Sequence, residues 1–235
     1  MSAGARIRVA VVGAGGRLGG FACGLLRGSG EFELVAEIEE QDDLDARLRE
    51  SDAQVGFDAT RAGLGFAHGK AMLEAGVRPL IGTSGVSPEE TARLDAIARE
   101  LSLGGLVVPN FSLGMWFLQK AVVEAASRFE HAEIIEMHHE RKKDAPSGTA
   151  LDTAERMRAA RGAGAGAIPI HSVRLPGMYA HQLVILGSAG ETVTLRHDMS
   201  GPEAFGPGIL AGLAYAARAV GVGRGIGLAL ESGGR

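Results

Sequence analysis

The chain has 235 residues, of which 46% are hydrophobic, 22% charged and 5% aromatic, proportions that are typical of a folded globular protein. Lys and Arg number 24 and Asp and Glu 28, so the formal net charge of −4 argues against a general nucleic-acid-binding protein. No apolar run reaches the roughly 18 residues of a membrane span, and no signal peptide is predicted. Cys23, the single cysteine, excludes an intramolecular disulfide and favours a cytoplasmic protein.

The first half of the chain alternates short runs of β-branched residues with helical patterns. Strands are predicted at 6–12, 32–38, 55–59, 79–82 and 106–108. Helices are predicted at 15–26, at 64–75 and after Ser87. Ser87 and Glu90 have the spacing of a capping box, and Pro88 suits the first helical turn. This alternation is typical of a doubly wound parallel sheet.

The pattern changes after residue 112. A long helix is predicted at 113–129, a strand at 132–137 and a second helix from Ser147. Three strands follow without helices between them, at 171–175, 182–186 and 192–197. Successive strands favour an antiparallel or mixed sheet, so we predict a smaller α+β domain at 113–207 in addition to an α/β domain at 1–112. A helix predicted at 208–220 returns the chain, through 208–235, to the first domain.

A glycine-rich loop, GAGGRLG at 13–19, follows the first strand and opens the first helix. Gly13, Gly15 and Gly19 form a variant of the G-x-G-x-x-G pattern that is longer by one residue. Glycines permit a tight turn and let backbone N–H groups approach a pyrophosphate at the helix N-terminus. The alternative is a tight turn without a ligand. The position at the first strand–helix junction favours a Rossmann-like dinucleotide-binding domain.

Carboxylates follow the second strand at the distance expected of a ribose-binding acid. Glu39 is the best match, with Glu37 nearby, whereas Glu40 by itself is interpreted as a solvated surface charge. The next positive side chain is Arg47. Because clustered carboxylates repel the 2′-phosphate of NADPH, the sequence predicts NADH as the preferred cofactor and NADPH as the weaker one.

The segment at 133–154, EIIEMHHERKKDAPSGTALDTA, carries a second cluster of reactive residue types. Its strand ends in His138 and His139, either of which could donate a proton near neutral pH, and Lys142 adds a positive charge. Adjacent strand residues face opposite sides of a sheet, so the two histidines suit one metal ion poorly and we predict no metal site.

A helix begins directly after this basic segment. Ser147 is predicted to cap it, and Gly148 and Thr149 are predicted to present N–H groups and a hydroxyl at its N-terminus. Proton donor, cation and anion-binding helix end together indicate a site for a small anionic substrate. The alternative from the residues alone is a solvated basic loop before an ordinary helix cap.

These segments resemble the 4-hydroxy-tetrahydrodipicolinate reductase (dihydrodipicolinate reductase) family of bacterial lysine and diaminopimelate synthesis, over almost the whole chain. The resemblance rests on GAGGRLG at 13–19, FDAT at 57–60, IGTSG at 81–85, PNFSLG at 109–114 and EIIEMHHERKKDAPSGTA at 133–150. The last segment is the most specific. The resemblance implies an NAD(P)H-dependent oxidoreductase that reduces 4-hydroxy-tetrahydrodipicolinate, a small cyclic dicarboxylate, to tetrahydrodipicolinate. It also implies a homotetramer, built through the sheet of the second domain.

The resemblance further implies roles for individual residues. The pyrophosphate would be held by Gly13, Ala14, Gly15, Gly16, Arg17 and Leu18, and the adenosine ribose by Glu39. The nicotinamide side would be lined by Gly82, Thr83, Ser84, Val108, Pro109, Asn110 and Phe111. His138 would be the proton donor, and Lys142 the second catalytic residue, which polarises and anchors the substrate. The other substrate-binding residues would be His139, Ser147, Gly148 and Thr149.

The sequence departs from the family pattern at Pro202, where the family commonly has an arginine. Arg174 or Arg196 could supply the missing charge. The segment between the second and third strands is also short, which indicates that a peripheral helix of longer members is missing. Two alternatives therefore stay open: an oxidoreductase of the same fold that acts on another small acid, and a non-catalytic NADH-binding protein.

Overall fold

The computed structural model describes residues 5–232. These residues form two compact units. The first unit runs through Phe111 and resumes at Phe205, and the second unit is Ser112–Ala204. No helix within residues 5–232 is long and apolar enough to cross a membrane.

The strands of the described residues are β1 (Ile7–Val12), β2 (Phe32–Ile38), β3 (Val55–Asp58), β4 (Arg78–Ile81), β5 (Gly104–Val107), β6 (His131–His138), β7 (Ile170–Arg174), β8 (Ala180–Ser188), β9 (Glu191–Met199) and β10 (Gly221–Arg224). The α-helices are α1 (Arg17–Arg27), α2 (Leu44–Glu50), α3 (Gly65–Glu74), α4 (Pro88–Glu100), α5 (Leu113–Ala126), α6 (Gly148–Arg161), α7 (Gly206–Arg218) and α8 (Gly227–Ser232). A short 3₁₀ helix at Pro202–Phe205 precedes α7.

The first unit is built on a parallel six-stranded sheet in the order β10-β5-β4-β3-β1-β2. β1 and β3 are almost continuous apolar runs because helices cover both faces of such a sheet. The predicted doubly wound parallel sheet is confirmed. The strand order reverses direction at β1, and open sheets of this kind bind ligands beyond the carboxyl ends of the strands at that point.

Local signals placed several elements correctly. Ser87 and Glu90 form the predicted capping box of α4: the Ser87 hydroxyl accepts from the Glu90 N–H at 3.1 Å, and the Glu90 carboxylate accepts from the Ser87 N–H at 2.9 Å. α1 begins at Arg17 rather than at residue 15, because residues 13–16 form a turn. The sequence pattern did not predict α2, β10 or α8.

The second unit is built on a four-stranded mixed sheet in the order β7-β6-β8-β9. β6 pairs with β7 in parallel and with β8 antiparallel, and β8 and β9 form an antiparallel hairpin. α5 and α6 pack on one face over a core that includes Met115, Leu118, Val122, Ile134, Met157, Val184 and Leu186. The predicted helix at 113–129 ends earlier, at Ala126.

Candidate functional site

The glycine loop of the first unit is a tight turn at the carboxyl end of β1. Gly13 has a φ of +81°, which L side chains rarely adopt, and its N–H donates to the carbonyl of Ile38 at 2.8 Å. A Cβ at Gly19 would lie 2.0 Å from the carbonyl oxygen of Gly13, so α1 packs directly on the loop. The third glycine of the pattern is thus needed at position 19.

The N-terminus of α1 is open to an anion. Its N-cap, Gly16, has no side chain to accept from the first N–H groups, and the first turn, which begins at Arg17, contains no acidic residue. The first N–H groups of a helix have no partner within the helix, and the helix dipole favours negative charge there. The loop and this helix end therefore fit the pyrophosphate of a dinucleotide.

A cavity of about 190 Å³ lies beyond the ends of β1, β2 and β3. Its lining includes Gly13, Glu39, Glu40, Thr60, Arg61 and His68. The Glu39 carboxylate reaches over the glycine loop, since a Cβ at Gly15 would lie 2.9 Å from its Oε1 atom. The cavity therefore combines an acid beside the phosphate loop with apolar walls, which suits an adenosine moiety.

Arg61 pairs with Glu40 at this cavity, a contact that the sequence pattern missed. One Arg61 guanidinium nitrogen lies 2.5 Å from Glu40 Oε1, although both side chains are largely exposed. This exposure agrees with the interpretation of Glu40 as a solvated surface charge, and the ion pair with Arg61 is the feature that the sequence did not show. Arg47, the nearest cation along the chain, instead donates to the backbone carbonyl of Glu37 at 3.3 Å.

A hydrogen-bonded cluster joins the ends of β3 and β4. Asp58 is fully buried and accepts from the Thr60 hydroxyl at 2.6 Å and from His68 Nδ1 at 3.3 Å. The Thr60 N–H also donates to the Thr83 hydroxyl at 3.1 Å. No sequence motif marks His68, yet its side chain is only 18% exposed and lines the cavity.

The residues predicted on the nicotinamide side follow the ends of β4 and β5. The Gly82 N–H donates to the carbonyl of Asp58 at 2.9 Å, and the Val108 N–H donates to that of Ile81 at 2.8 Å. A Cβ at Gly82 would lie 2.8 Å from the ring of Phe111. Thr83 and Ser84 follow Gly82, and Pro109 and Asn110 connect Val108 to Phe111. All residues predicted to bind the cofactor thus belong to the first unit.

The candidate substrate residues belong to the second unit. His138 ends β6, and its Nδ1 atom lies 2.5 Å from Oε2 of Glu136, two residues earlier on the same strand. Burial lowers the pKa of His138, and the nearby Glu136 carboxylate opposes this shift. Among the described residues, the buried Nδ1 atom of His139 has no hydrogen-bond partner.

Glu136 is a buried carboxylate that the sequence analysis did not single out. Its side chain is 0% exposed and accepts two hydrogen bonds from the Arg174 guanidinium, at 2.9 and 2.7 Å, and one from the Ser147 N–H at 3.2 Å. Burial alone would raise the pKa of Glu136. Hydrogen bonds from Arg174, Ser172 and His138 outweigh burial and lower it, so the carboxylate is ionised.

Lys142 is held by Asp144 in the loop between β6 and α6. Its Nζ atom donates to both carboxylate oxygens of Asp144, at 2.8 and 2.7 Å, and its side chain is 23% exposed. The hydrogen bond from Lys142 lowers the pKa of Asp144. The ammonium group is therefore presented at a fixed position with an exposed counterion.

The N-terminus of α6 has the predicted cap. The Ser147 hydroxyl accepts from the Ala150 N–H at 3.2 Å, and the first turn contains no acidic residue. A Cβ at Gly148 would meet no atom within 4 Å, so space is open at the helix end beside Thr149. Open N–H groups and a nearby ammonium suit a carboxylate.

Pro202 stands where the family commonly has an arginine, and Arg174 and Arg196 were the candidates to replace its charge. Both arginines already pair with a carboxylate. Arg174 pairs with Glu136, and Arg196 pairs with Asp198 at 2.8 Å. Within residues 5–232, no group of three or more His, Cys, Asp or Glu side chains could hold a metal ion.

The fold and these two groups of residues define a class of protein: an oxidoreductase that uses a nicotinamide dinucleotide. Family models describe the more specific relation. "Dihydrodipicolinate reductase, N-terminus" matches residues 7–111, and "Dihydrodipicolinate reductase, C-terminus" matches residues 114–224. The chain belongs to the dihydrodipicolinate reductase family.

Similar proteins agree with this relation. The chain is 40% identical over 222 residues to the 4-hydroxy-tetrahydrodipicolinate reductase of Legionella pneumophila (strain Lens), covering 87% of this chain and 91% of that protein. It is 41% identical over 216 residues to the enzyme of the same name from Coxiella burnetii (strain Dugway 5J108-111), covering 86% and 90%.

Solved structures also resemble the fold. A dipicolinate-bound dihydrodipicolinate reductase from Paenisporosarcina sp. TG-14 has a TM-score of 0.83 at 31% identity, over 94% of this chain and 98% of that one. GenD2 from gentamicin A biosynthesis, in complex with NAD, has a TM-score of 0.59 at 16% identity, over 83% and 74%. The second likeness concerns the fold alone.

Proposed function

We propose that this chain reduces 4-hydroxy-tetrahydrodipicolinate to tetrahydrodipicolinate, the reaction for which its relatives are named, in lysine and diaminopimelate synthesis. The observation that carries the proposal is the group of residues around the N-terminus of α6. There a partly buried histidine, an ammonium group and open helix N–H groups occur in one short segment. Such a group suits a small acid that must be protonated as it is reduced.

The first unit holds the cofactor in this proposal. The loop from Gly13 to Leu18 binds the pyrophosphate through backbone N–H groups, and Glu39 binds the adenosine ribose. The segments Gly82–Ser84 and Val108–Phe111 line the nicotinamide side. When bound, the reduced nicotinamide supplies the hydride.

The second unit binds and protonates the substrate. The N–H groups of Gly148 and Thr149, at the helix end capped by Ser147, bind one carboxylate. Lys142 exchanges part of its contact with Asp144 for a substrate oxygen and so anchors and polarises the ring. His139 contacts the substrate. Dipicolinate, named as the ligand of a similar structure, is a cyclic dicarboxylate and supports this substrate class.

His138 is the proton donor. Its Nδ1 atom is committed to Glu136, so Nε2 is the atom left to deliver a proton. Loss of the 4-hydroxyl group as water gives a conjugated imine. The hydride goes to one ring carbon of this imine and the proton goes to the adjacent carbon, so the overall reduction loses one water and adds one hydride and one proton.

NADH is the preferred cofactor in this proposal. Glu39 and Glu40 place two carboxylates at the adenosine cavity, and Arg61, the cation closest to them, is paired with Glu40. The 2′-phosphate of NADPH would meet these acids, and the arginine that lines the cavity is already paired.

The open face of the second sheet supports a homotetramer. Ile135, Met137, Leu183 and Ile185 alternate with the core residues of β6 and β8, lie on the face opposite α5 and α6, and are only partly buried. A half-covered apolar stripe suits burial against other copies of the chain. Light scattering on the purified protein measures this state. We place the enzyme in the cytoplasm, where its free Cys23 would stay reduced.

The test is oxidation of NADH and of NADPH with substrate made fresh from pyruvate and aspartate semialdehyde by the preceding enzyme. We expect rapid oxidation that is faster with NADH. Oxidation only with another cyclic imino acid would move the substrate to a different small acid. NADH binding without oxidation of any such substrate would make the chain a non-catalytic dinucleotide-binding protein.

A further inference from the structure

We propose that Glu136 is a positioning residue that joins the proton donor His138 to the anion-binding end of α6. This inference rests on the proposed function, which makes His138 the proton donor. The geometry that carries it is a single buried carboxylate whose two oxygens contact three different elements.

The two oxygens of Glu136 have separate partners. Oε2 accepts from His138 Nδ1 at the end of β6, and Oε1 accepts from the N–H of Ser147, the N-cap of α6. Arg174 on β7 bridges both oxygens with a planar, two-pronged contact. Such a contact fixes the plane of the carboxylate as well as its position. The imidazole ring and the helix cap are therefore oriented by the same rigid group.

Arg174 makes the buried charge of Glu136 tolerable. A carboxylate with no solvent exposure is strongly destabilised unless it is paired and hydrogen-bonded. Arg174 supplies both, and it also donates to the carbonyl of Asp144 at 2.8 Å in the loop that presents Lys142. The Arg174–Glu136 pair thus contacts both the loop that presents Lys142 and the N-cap of α6.

Glu136 determines which nitrogen of His138 carries the mobile proton. An ionised carboxylate can only accept hydrogen bonds, so Nδ1 must carry a hydrogen and Nε2 must be the nitrogen that titrates. Burial and the positive charges of Lys142 and Arg174 lower the pKa of His138, whereas Glu136 raises it. The carboxylate therefore keeps a buried histidine able to take up a proton.

The experiment is the variant Glu136→Gln, which keeps the size of the side chain and removes its charge. The rate of the wild-type enzyme falls as the pH rises through the pKa of His138, because the donor loses its proton. In the variant we expect this fall to move to lower pH by about one unit, since the opposing carboxylate is gone. We also expect kcat to fall by roughly 10-fold or more, and KM for the substrate to rise, because the single amide oxygen of glutamine cannot accept from both His138 and Ser147.

Two further variants keep the test interpretable. Glu136→Gln leaves Arg174 without a counterion, so the double variant Glu136→Gln with Arg174→Met removes both charges and should fold stably. Its pH shift should have the same direction and be smaller, because Arg174 itself lowers the pKa of His138. Glu133→Gln is the matched control. Glu133 lies on the same strand, faces the other side of the sheet and pairs with the exposed His171 at 2.8 Å, so its loss should leave the pH profile unchanged.

Nitrogen-15 NMR of the histidine side chains supplies a readout that needs no turnover. We expect His138 to titrate at Nε2 in the wild-type protein and to lose its fixed Nδ1–H form in Glu136→Gln. A Glu136→Gln protein with the wild-type Nδ1–H form and pH profile would overturn the inference. A wild-type enzyme that does not reduce the substrate would overturn the proposed function instead, and the NMR titration would still test the Glu136 contact.

Discussion

In the proposed function, the two units bind negative charge by different means. The first unit offers backbone N–H groups at a glycine turn, residues 13–16, that contains no ionisable side chain. The second unit adds to the open N–H groups of α6 a set of side chains whose charges are held by buried or neighbouring partners, as in Arg174–Glu136–His138 and Lys142–Asp144. Binding at the first site depends on the shape of the backbone, and binding at the second site depends on charged side chains. Different substitutions should therefore impair each site.

The difference follows from what each site must do. A pyrophosphate keeps its charge throughout the reaction, so a fixed set of N–H groups is sufficient. A substrate that is protonated during the reaction needs a group whose proton can move and whose pKa is controlled. Protonation of the substrate therefore requires ionisable side chains, whereas binding of a pyrophosphate does not. Burying the charge of such side chains costs free energy.

The largest expected effect comes from placing a side chain at Gly19, where α1 lies against the backbone of the glycine loop. In Gly19→Val the new side chain would collide with the carbonyl of Gly13, so α1 must move away from the loop. We expect NADH binding to weaken by roughly 100-fold or more, measured by fluorescence titration. Gly24→Ala is the control on the same helix, because a Cβ there meets no atom within 4 Å. Normal NADH affinity in a folded Gly19→Val protein would contradict the prediction that NADH binding depends on the close packing of α1 on the glycine loop.

The next effect tests the dependence on charge. Lys142→Met should lower kcat/KM for the substrate by roughly 100-fold, since a charge-assisted contact to substrate is lost, while NADH affinity stays near normal. Lys143→Met, which removes an exposed lysine from the adjacent position, is the control and should change little. Steady-state kinetics and an NADH titration measure both. Near wild-type turnover and KM in Lys142→Met would disprove the proposed role.

The smallest effect concerns the Arg61–Glu40 ion pair at the candidate adenosine cavity. Glu40→Gln should free Arg61 for a 2′-phosphate and raise kcat/KM for NADPH by roughly fivefold, as expected of an exposed ion pair. Adding Arg61→Ala should cancel that gain. Glu74→Gln, which removes the partner of Lys70 on α3, is an exposed ion-pair control. A gain that survives loss of Arg61 would show that repulsion by Glu40 alone sets the preference.

Local sequence signals predicted the elements that are specified locally. β2 has the predicted bounds of 32–38, and the capping box at Ser87 marks the start of α4. Both signals come from residues that are close together in the sequence, namely the burial pattern of a strand and the cap of a helix. β10 was missed because GVGR carries no apolar alternation, and its extended form comes from pairing with β5. α2 was missed because its seven residues bury only Leu48.

The candidate site was predictable where its residues share one motif. His138, Lys142 and Ser147 lie in a single segment, so their proximity followed from the chain itself. The Glu136–Arg174 contact depends on the parallel pairing of β6 with β7, which the sequence does not encode locally. A glutamate among the apolar inward positions of β6 was the available signal. The Arg61–Glu40 pair likewise required the arrangement of β1, β2 and β3.

The late position of β10 has a consequence for synthesis on the ribosome. β10 pairs with β5, but it follows the entire second unit along the chain. During translation β5 is therefore an unpaired edge strand until residues 221–224 emerge after the entire second unit, and such edges can pair with other chains. A chain that stops before Gly221 would contain every candidate catalytic residue and still leave β5 uncovered. Premature termination should thus be more harmful through aggregation than through loss of chemistry.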